Sequence, residues 1–224
     1  PNNPDAFYWM GLAIRKTDID RAKSLFKQGL EAAPEEGRFD HEMARTVAQE
    51  GAILEAVDYL RQAVRKDPKN GEAYFEMGTL LVEQARYADA RDQFQRAVEV
   101  MPTKAFIHMS IGDTYMRGGE YDRAKREYEL AVKKDTSLSE AWCKLGDVMR
   151  TDQKYKQAVT YYEKCVALTP KHKDAWKWLG YTFVGLGGKA NQRKGMDAWE
   201  RHLKVNPEDA DNEDLRDQMA DMRR

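Results

Sequence analysis

The side chains best suited to chemistry in this 224-residue chain are four histidines and two cysteines, and they are widely separated in the sequence. The histidines are His41, His108, His172 and His202. No two of them have the spacing of a metal-ligand pair. His41-Glu42 begins like a zinc-protease motif but lacks the second histidine four residues after the first. We therefore predict no metal site.

The two cysteines, Cys143 and Cys165, are too few for a disulfide framework. They fit a reducing compartment. We expect Cys165 to be an inert core residue and Cys143 to lie on an accessible helix face without a partner base. A cytoplasmic location is favoured over a periplasmic or membrane-associated one, which would require an N-terminal signal or anchor that has been removed.

The segment around Gly188 and Lys189 superficially resembles a phosphate-binding loop. Phe183 stands where that motif needs its first glycine, and Ala190 stands where it needs serine or threonine. Acidic pairs are plentiful, as expected of solvated helix faces. We therefore predict no catalytic residue, no cofactor and no enzymatic activity.

The charge balance and the hydropathy pattern exclude two classes of partner. The chain has 37 basic and 38 acidic residues, which gives a net charge of −1. A nucleic-acid binder would carry a basic excess. No run approaches the roughly 20 apolar residues of a membrane span, so we predict no membrane insertion by this chain.

The positions of proline and of small residues show an internal repeat. Pro34, Pro68 and Pro102 are 34 residues apart, and Pro170 follows after two further periods. The same period relates two sets of small residues: Ala22, Ala56, Ala90, Ala124 and Ala158, and Gly78, Gly112, Gly146 and Gly180. A period in this range is typical of stacked supersecondary units.

Each period contains two segments of about 13 residues with apolar residues at helical spacing. Trp142, Leu145 and Met149 form one such stripe, with Gly146 among them. An isolated helix of this length is marginal in water, so each stripe needs a partner helix. Glycine and alanine at the crossing points would let the two backbones approach closely, and proline would end the second helix.

These motifs resemble the tetratricopeptide repeat family. One unit carries its pattern at Tyr74, Met77, Gly78, Leu81, Ala90, Phe94, Ala97 and Pro102, and another carries it at Trp142, Leu145, Gly146, Met149, Ala158, Tyr162, Cys165 and Pro170. The resemblance covers nearly the whole chain. It implies an all-α fold, a right-handed α-solenoid of helix-turn-helix repeats, and a concave groove lined by the first helix of each repeat.

The resemblance divides residues 1–207 into six units, and an acidic C-terminal capping helix follows at 208–224. The units are 4–36, 37–70, 71–104, 105–138, 139–172 and 173–207. The sixth unit has three extra residues, which we place in a loop at 187–194. The sparse apolar residues Leu215, Met219 and Met222 of the tail lie at helical spacing, as in the terminal cap that a solenoid requires. An acidic docking tail is the alternative.

The ligand-facing positions of the family carry over to a mixed groove in this chain, with an apolar centre flanked by charges. The predicted partner-binding residues are Tyr8, Arg38, His41, Arg45, Phe75, Phe106, Met109, Asp113, Met116, Lys144, Asp147, Arg150, Lys177, Trp178 and Tyr181. An apolar patch edged by charge suits an amphipathic helix or an extended peptide.

The function that the resemblance implies is a non-catalytic protein-interaction scaffold that binds a partner peptide or helix in its groove. A specific form is an assembly factor for an envelope or motility complex, since type IV pilus pilotins are similar in size and repeat number. Two alternatives stay open: an accessory domain of a larger enzyme or signalling protein, and a structural protein that assembles as a homo-oligomer.

Overall fold

The computed structural model describes residues 3–223, and all of its regular secondary structure is helical. The thirteen helices found there are α1 (Pro4–Ile14), α2 (Ile19–Ala32), α3 (Gly37–Gln49), α4 (Ile53–Lys66), α5 (Gly71–Glu83), α6 (Tyr87–Val100), α7 (Ala105–Arg117), α8 (Tyr121–Lys134), α9 (Ser139–Thr151), α10 (Tyr155–Leu168), α11 (Ala175–Leu186), α12 (Lys189–Val205) and α13 (Asn212–Arg223). None of the helices in this described part is long and apolar enough to cross a membrane.

Consecutive helices pack as hairpins, and the hairpins belong to two compact units. The N-terminal unit ends at Thr114, and the C-terminal unit begins at Tyr115. In the N-terminal unit the hairpins α1–α2, α3–α4 and α5–α6 stack through contacts of α2 with α3 and of α4 with α5. In the C-terminal unit α8 packs on α9, and the hairpin α9–α10 packs on α11–α12. This arrangement confirms the all-α repeat fold predicted from the sequence.

Within the hairpins an aromatic ring of the second helix lies directly on a glycine of the first. A Cβ atom added at Gly78 would come within 2.6 Å of the Phe94 ring, and one at Gly146 within 2.7 Å of the Tyr162 ring. Both distances are shorter than side chains tolerate, so glycine is required at these two positions. Both rings are buried, and close packing of this kind resists even small changes in volume.

The turn inside each of four hairpins contains one residue in the left-handed backbone conformation, and these residues are 34 positions apart. Glycine supplies it at Gly51 and Gly119, where φ is 80° and 74°. Ala85 and Gln153 adopt it at φ 57° although they carry side chains. Left-handed backbone is disfavoured for residues with a Cβ atom. The latter two turns are therefore conformationally strained.

The three extra residues of the sixth repeat do not form the loop that we expected at 187–194. Only Gly187 and Gly188 connect α11 to α12, both at positive φ. The following residues are helical because α12 begins at Lys189 and is 17 residues long. The side chain of Asn191 donates a hydrogen bond to the Gly187 carbonyl oxygen at 2.9 Å, which supports this early helix start.

Helix α13 packs on the last hairpin, and its role as a terminal cap stays a prediction. Leu215 and Met219 are buried against Trp199 of α12. Lys177 of α11 binds the carboxylates of Asp209 at 3.1 Å and Asp211 at 2.9 Å, in the segment that leads into α13. Part of the acidic charge of the tail is thus neutralised within the C-terminal unit.

The strained turns predict opposite effects for two substitutions in the C-terminal unit. Gln153→Gly should raise the free energy of unfolding by about 0.5–1 kcal/mol, because glycine adopts positive φ without strain. The larger conformational freedom of glycine in the unfolded chain offsets part of this gain. Gly119→Ala should lower the free energy of unfolding by about 1 kcal/mol, because alanine is strained at positive φ. A Cβ atom there would contact nothing within 4 Å, so no steric overlap adds to this cost. Urea unfolding of both variants measures these changes, and a destabilised Gln153→Gly protein would contradict the interpretation.

Candidate partner-binding surfaces

The predicted partner-binding residues form two sets, one in each unit, and all of them lie on first helices of hairpins. The N-terminal face comprises Tyr8, Arg38, His41, Arg45, Phe75, Phe106, Met109 and Asp113, from α1, α3, α5 and α7. The C-terminal face comprises Met116, Lys144, Asp147, Arg150, Lys177, Trp178 and Tyr181, from α7, α9 and α11. Their role in binding a partner stays a prediction.

The charged side chains of the N-terminal face pair with one another. Glu42 is only 2% exposed and lies between two guanidinium groups, those of Arg15 and Arg45. Arg45 reaches Glu42 at 2.8 Å, and its Nε donates to Glu76 of the next repeat at 2.8 Å. The Nε2 atom of His41 lies 3.0 Å from the other Glu76 oxygen. We call these five residues the acid–base network.

The acid–base network shifts the pKa values of two of its members, Glu76 and Arg45. Burial disfavours the charged form of Glu76, but hydrogen bonds from His41 and Arg45 outweigh it and lower the pKa of that carboxyl. Burial also opposes the charge of Arg45, and its hydrogen bonds to Glu76 again outweigh burial, so the pKa of the guanidinium is raised. Because Arg45 and His41 are paired within the chain, they form a structured polar border rather than a free basic clamp.

An aromatic patch lies beside the acid–base network. The Phe75 ring is 4.8 Å from the Phe106 ring in an edge-to-face arrangement, and 5.4 Å from the buried Phe94 ring. Phe106 is 37% exposed, and Met109 on the same helix is half-buried. We call Phe75, Phe106 and Met109 the aromatic patch.

A cavity of about 320 Å³ opens between Phe75 and the acid–base network. Its apolar lining comes from residues such as Ala44, Ala48 and Leu80, and its polar lining includes Arg45 and Glu76. The volume lies at the small end of the range for ligand pockets. The cavity thus combines an apolar wall with a charged border.

Tyr8 and Arg38 interact at the other end of the N-terminal face. The Arg38 guanidinium lies 4.9 Å from the centre of the Tyr8 ring and makes an ion pair of 2.7 Å with Asp5. Tyr8 also packs against the buried ring of Phe39. Arg38 thus resembles Arg45 in being bound within the chain.

The C-terminal face is more polar. Arg150 lies 4.3 Å from the centre of the Trp178 ring, and that ring packs against Tyr181. Asp147 accepts a hydrogen bond of 2.6 Å from the Tyr162 hydroxyl, while burial raises the pKa of the Asp147 carboxyl. Lys177 is buried and bound to the carboxylates that precede α13.

A disulfide joins Cys143 of α9 to Cys165 of α10, with 5.3 Å between the two Cα atoms. The expectation of two separate, unbonded cysteines is therefore wrong. Sequence reasoning treated each cysteine singly and missed that they occupy facing helices of one hairpin. The available signal was that Cys143 lies in the first helix of the fifth repeat and Cys165 at the small-residue position of its paired second helix.

Removing the charge of Glu76 should destabilise the protein near neutral pH. A carboxyl whose pKa is lowered on folding stabilises the protein above its unfolded pKa of about 4.3, and this stabilisation is lost as pH falls through the lower folded value. We expect Glu76→Gln to cost about 1–3 kcal/mol at pH 7 and less at pH 3. Urea unfolding at both pH values measures this.

Glu83→Gln is the matched control for this substitution. Glu83 is exposed at the end of the same helix, α5, so this change should have little effect at either pH. Equal destabilisation by Glu76→Gln at pH 3 and pH 7 would show that packing, not charge, is responsible.

Reduction of the disulfide should lower the free energy of unfolding. A cross-link that closes a loop of 22 residues restricts the unfolded chain and contributes about 3 kcal/mol. The measurement is urea unfolding with and without a phosphine reductant, with a chelator present in both samples. The Cys143→Ala variant provides the control, because reductant should not change its stability, and an unchanged midpoint for the native chain would contradict the prediction.

Comparison with known families supports the repeat assignment. Models described as tetratricopeptide repeat match residues 11–71, 47–109, 107–135 and 139–172. These matches cover more than half of the chain. A sequence search of curated proteins finds no match.

Solved structures share the fold at low sequence identity. The chain is similar to pilF of Pseudomonas aeruginosa, with a TM-score of 0.78, 16% identity, and coverage of 96% of this chain and 97% of that one. It is similar to YrrB, described as a TPR protein with an unusual peptide-binding site, with a TM-score of 0.65, 18% identity, and coverage of 82% and 93%. MamA from Desulfovibrio magneticus gives a TM-score of 0.67, 18% identity, and coverage of 76% and 94%.

The helix hairpins, the 34-residue period and four family matches lead to one assignment. The chain belongs to the tetratricopeptide repeat family.

Proposed function

We propose that this protein is a non-catalytic interaction scaffold that binds an apolar segment of a partner protein on its N-terminal face. The aromatic patch is the observation that carries the proposal. Edge-to-face packing holds Phe75 and Phe106 in place, and Phe106 remains partly exposed. Rigid aromatic side chains of this kind often dominate the energetics of protein interfaces.

The surroundings of the aromatic patch favour a peptide or an amphipathic helix as the partner. Met109 is flexible and polarizable, so it adapts to imperfectly matched side chains. The cavity beside Phe75 accepts an apolar anchor residue, and the acid–base network borders it with paired charges. A partner segment that places apolar residues on one face and polar residues on the other is complementary to this surface.

His41, the one histidine among the predicted residues of the N-terminal face, supports a binding role over a catalytic one. The two ring nitrogens of His41 are engaged, with Nδ1 3.1 Å from the Asn70 amide and Nε2 3.0 Å from Glu76. Both nitrogens thus contact side chains that belong to the polar border of the face. Its evident role is to orient the Glu76 carboxylate.

The disulfide and the structural neighbours support a more specific role in assembling an envelope complex. Disulfides persist mainly in oxidising compartments such as the bacterial periplasm, which makes the Cys143–Cys165 bond consistent with that location. The likeness to pilF extends over nearly the full length of both chains. We propose that the scaffold holds a component of such a complex during assembly.

Truncation of the aromatic patch should weaken binding of a peptide selected from a displayed library against the whole chain. We expect Phe75→Ala and Phe106→Ala each to weaken the affinity at least tenfold, which corresponds to about 1.4 kcal/mol. Fluorescence anisotropy with the labelled peptide measures the dissociation constants, and circular dichroism checks that each variant is folded.

Leu54→Ala is the matched control. Leu54 is 71% exposed on α4, a second helix of the same unit, so the substitution removes an exposed apolar side chain outside the N-terminal face. Equal weakening by all three substitutions, or full affinity in both phenylalanine variants, would place the binding surface elsewhere.

A further inference from the structure

Three side chains of the C-terminal unit bring metal-binding atoms together. The sulfur atoms of Cys143 and Cys165 and one ring nitrogen of His172 all lie within 4.8 Å of one another. Both cysteines are at least nine-tenths buried, and they come from the facing helices α9 and α10. His172 lies in the turn that follows α10. The cluster thus draws on both helices of the fifth hairpin and on the turn after it.

The His172 ring is held from two directions. Its Nε2 lies 2.8 Å from a carboxylate oxygen of Glu140, and its Nδ1 accepts a hydrogen bond of 3.3 Å from the Ala175 backbone. Histidines that bind metals almost always donate the N–H of the other ring nitrogen to a carboxylate or a carbonyl oxygen, which fixes the ring orientation and raises its basicity. Glu140 is such a partner for Nε2, so Nδ1 is the nitrogen that would bind an ion, in exchange for its longer hydrogen bond from the Ala175 backbone. The ring is therefore oriented before any ion enters.

We propose that the reduced form of this chain binds one zinc ion through the thiolates of Cys143 and Cys165 and the imidazole of His172. Two thiolates and an imidazole form a donor set that zinc prefers, with water in the fourth position. Tetrahedral geometry with zinc–sulfur bonds of about 2.3 Å puts the sulfurs roughly 3.8 Å apart. That separation is smaller than the 4.8 Å within which the three ligand atoms already lie. It requires only that the two cysteine side chains move apart after the disulfide is cleaved.

A phosphine reductant converts the disulfide-bonded chain to the reduced chain that binds zinc. The phosphine and one water molecule convert the disulfide to two thiols, and the phosphine becomes a phosphine oxide. Zinc then displaces one proton from each thiol. In the oxidised chain the sulfurs are bonded to each other and cannot both bind the ion. The disulfide and the zinc ion are thus alternative links between α9 and α10, and each would tie the fifth hairpin together in its own redox state.

Zinc titration of the full chain, with and without tris(2-carboxyethyl)phosphine, tests this proposal. A chromophoric zinc indicator reports the competition, and circular dichroism confirms that the reduced chain is folded. We expect one zinc ion per reduced chain and none per oxidised chain. Cobalt(II) added to the reduced chain should give the intense visible bands of a tetrahedral site and thiolate charge-transfer absorption in the near ultraviolet.

Two substitutions locate the ion. Cys143→Ala should abolish stoichiometric binding, and Glu140→Gln should weaken it 10- to 100-fold, as is typical when the hydrogen-bond partner of a ligating histidine is lost. Glu163→Gln, an exposed change on α10, is the control and should leave the affinity unchanged. A folded, reduced chain that binds no zinc would overturn the proposal, as would equal affinity in the Cys143→Ala variant.

Discussion

The contact on which the rest of the structure depends is the seating of an aromatic ring on a glycine backbone inside the hairpins. Phe26 lies on Gly11, Phe94 on Gly78, Tyr162 on Gly146 and Trp199 on Gly180, and a Cβ atom at any of these glycines would overlap the ring. All four rings are completely or almost completely buried. The two helices of a hairpin are thereby held at one separation, which sets the side of the first helix that stays available for other contacts.

The side chains of that available side divide into two kinds. Charged residues pair across neighbouring repeats, as Arg45 of α3 does with Glu76 of α5. Glu42, which is buried between Arg15 of α1 and Arg45 of α3, would be costly to leave without these partners, so such pairs favour the observed order of the hairpins. Aromatic residues such as Phe75 and Phe106 lack polar partners and stay partly accessible, so they offer the part of the surface where a partner gains most by excluding water.

Periodicity predicts most of the fold because one rule repeats along the chain. The positions of Gly78 and Gly146 predict the helix crossings, and the prolines predict where second helices end. Three features escaped this reasoning. The extra residues of the sixth repeat lengthen α12 because helical hydrogen bonds can form from Lys189 onward, whereas the count of residues alone suggested a loop.

The other two features depend on the reach of individual side chains. Periodicity states which face a residue occupies, but not which side chain it touches 22 to 35 residues away. The Cys143–Cys165 bond and the pairing of His41 with Glu76 are contacts of this kind. Sequence reasoning therefore placed the basic residues at the groove as if they were free, while the structure pairs Arg45 and Lys177 with nearby carboxylates.

Site-specific photo-crosslinking tests the central claim, that the first-helix face of the N-terminal unit is where the scaffold holds its partner. Benzoylphenylalanine is placed at Met109 in one chain and at Leu54 in another, and both chains are irradiated in cells that naturally produce the protein. Crosslinks to one defined protein from position 109, and none from position 54, are the predicted result. Crosslinks to that protein from position 54 alone would contradict the claim.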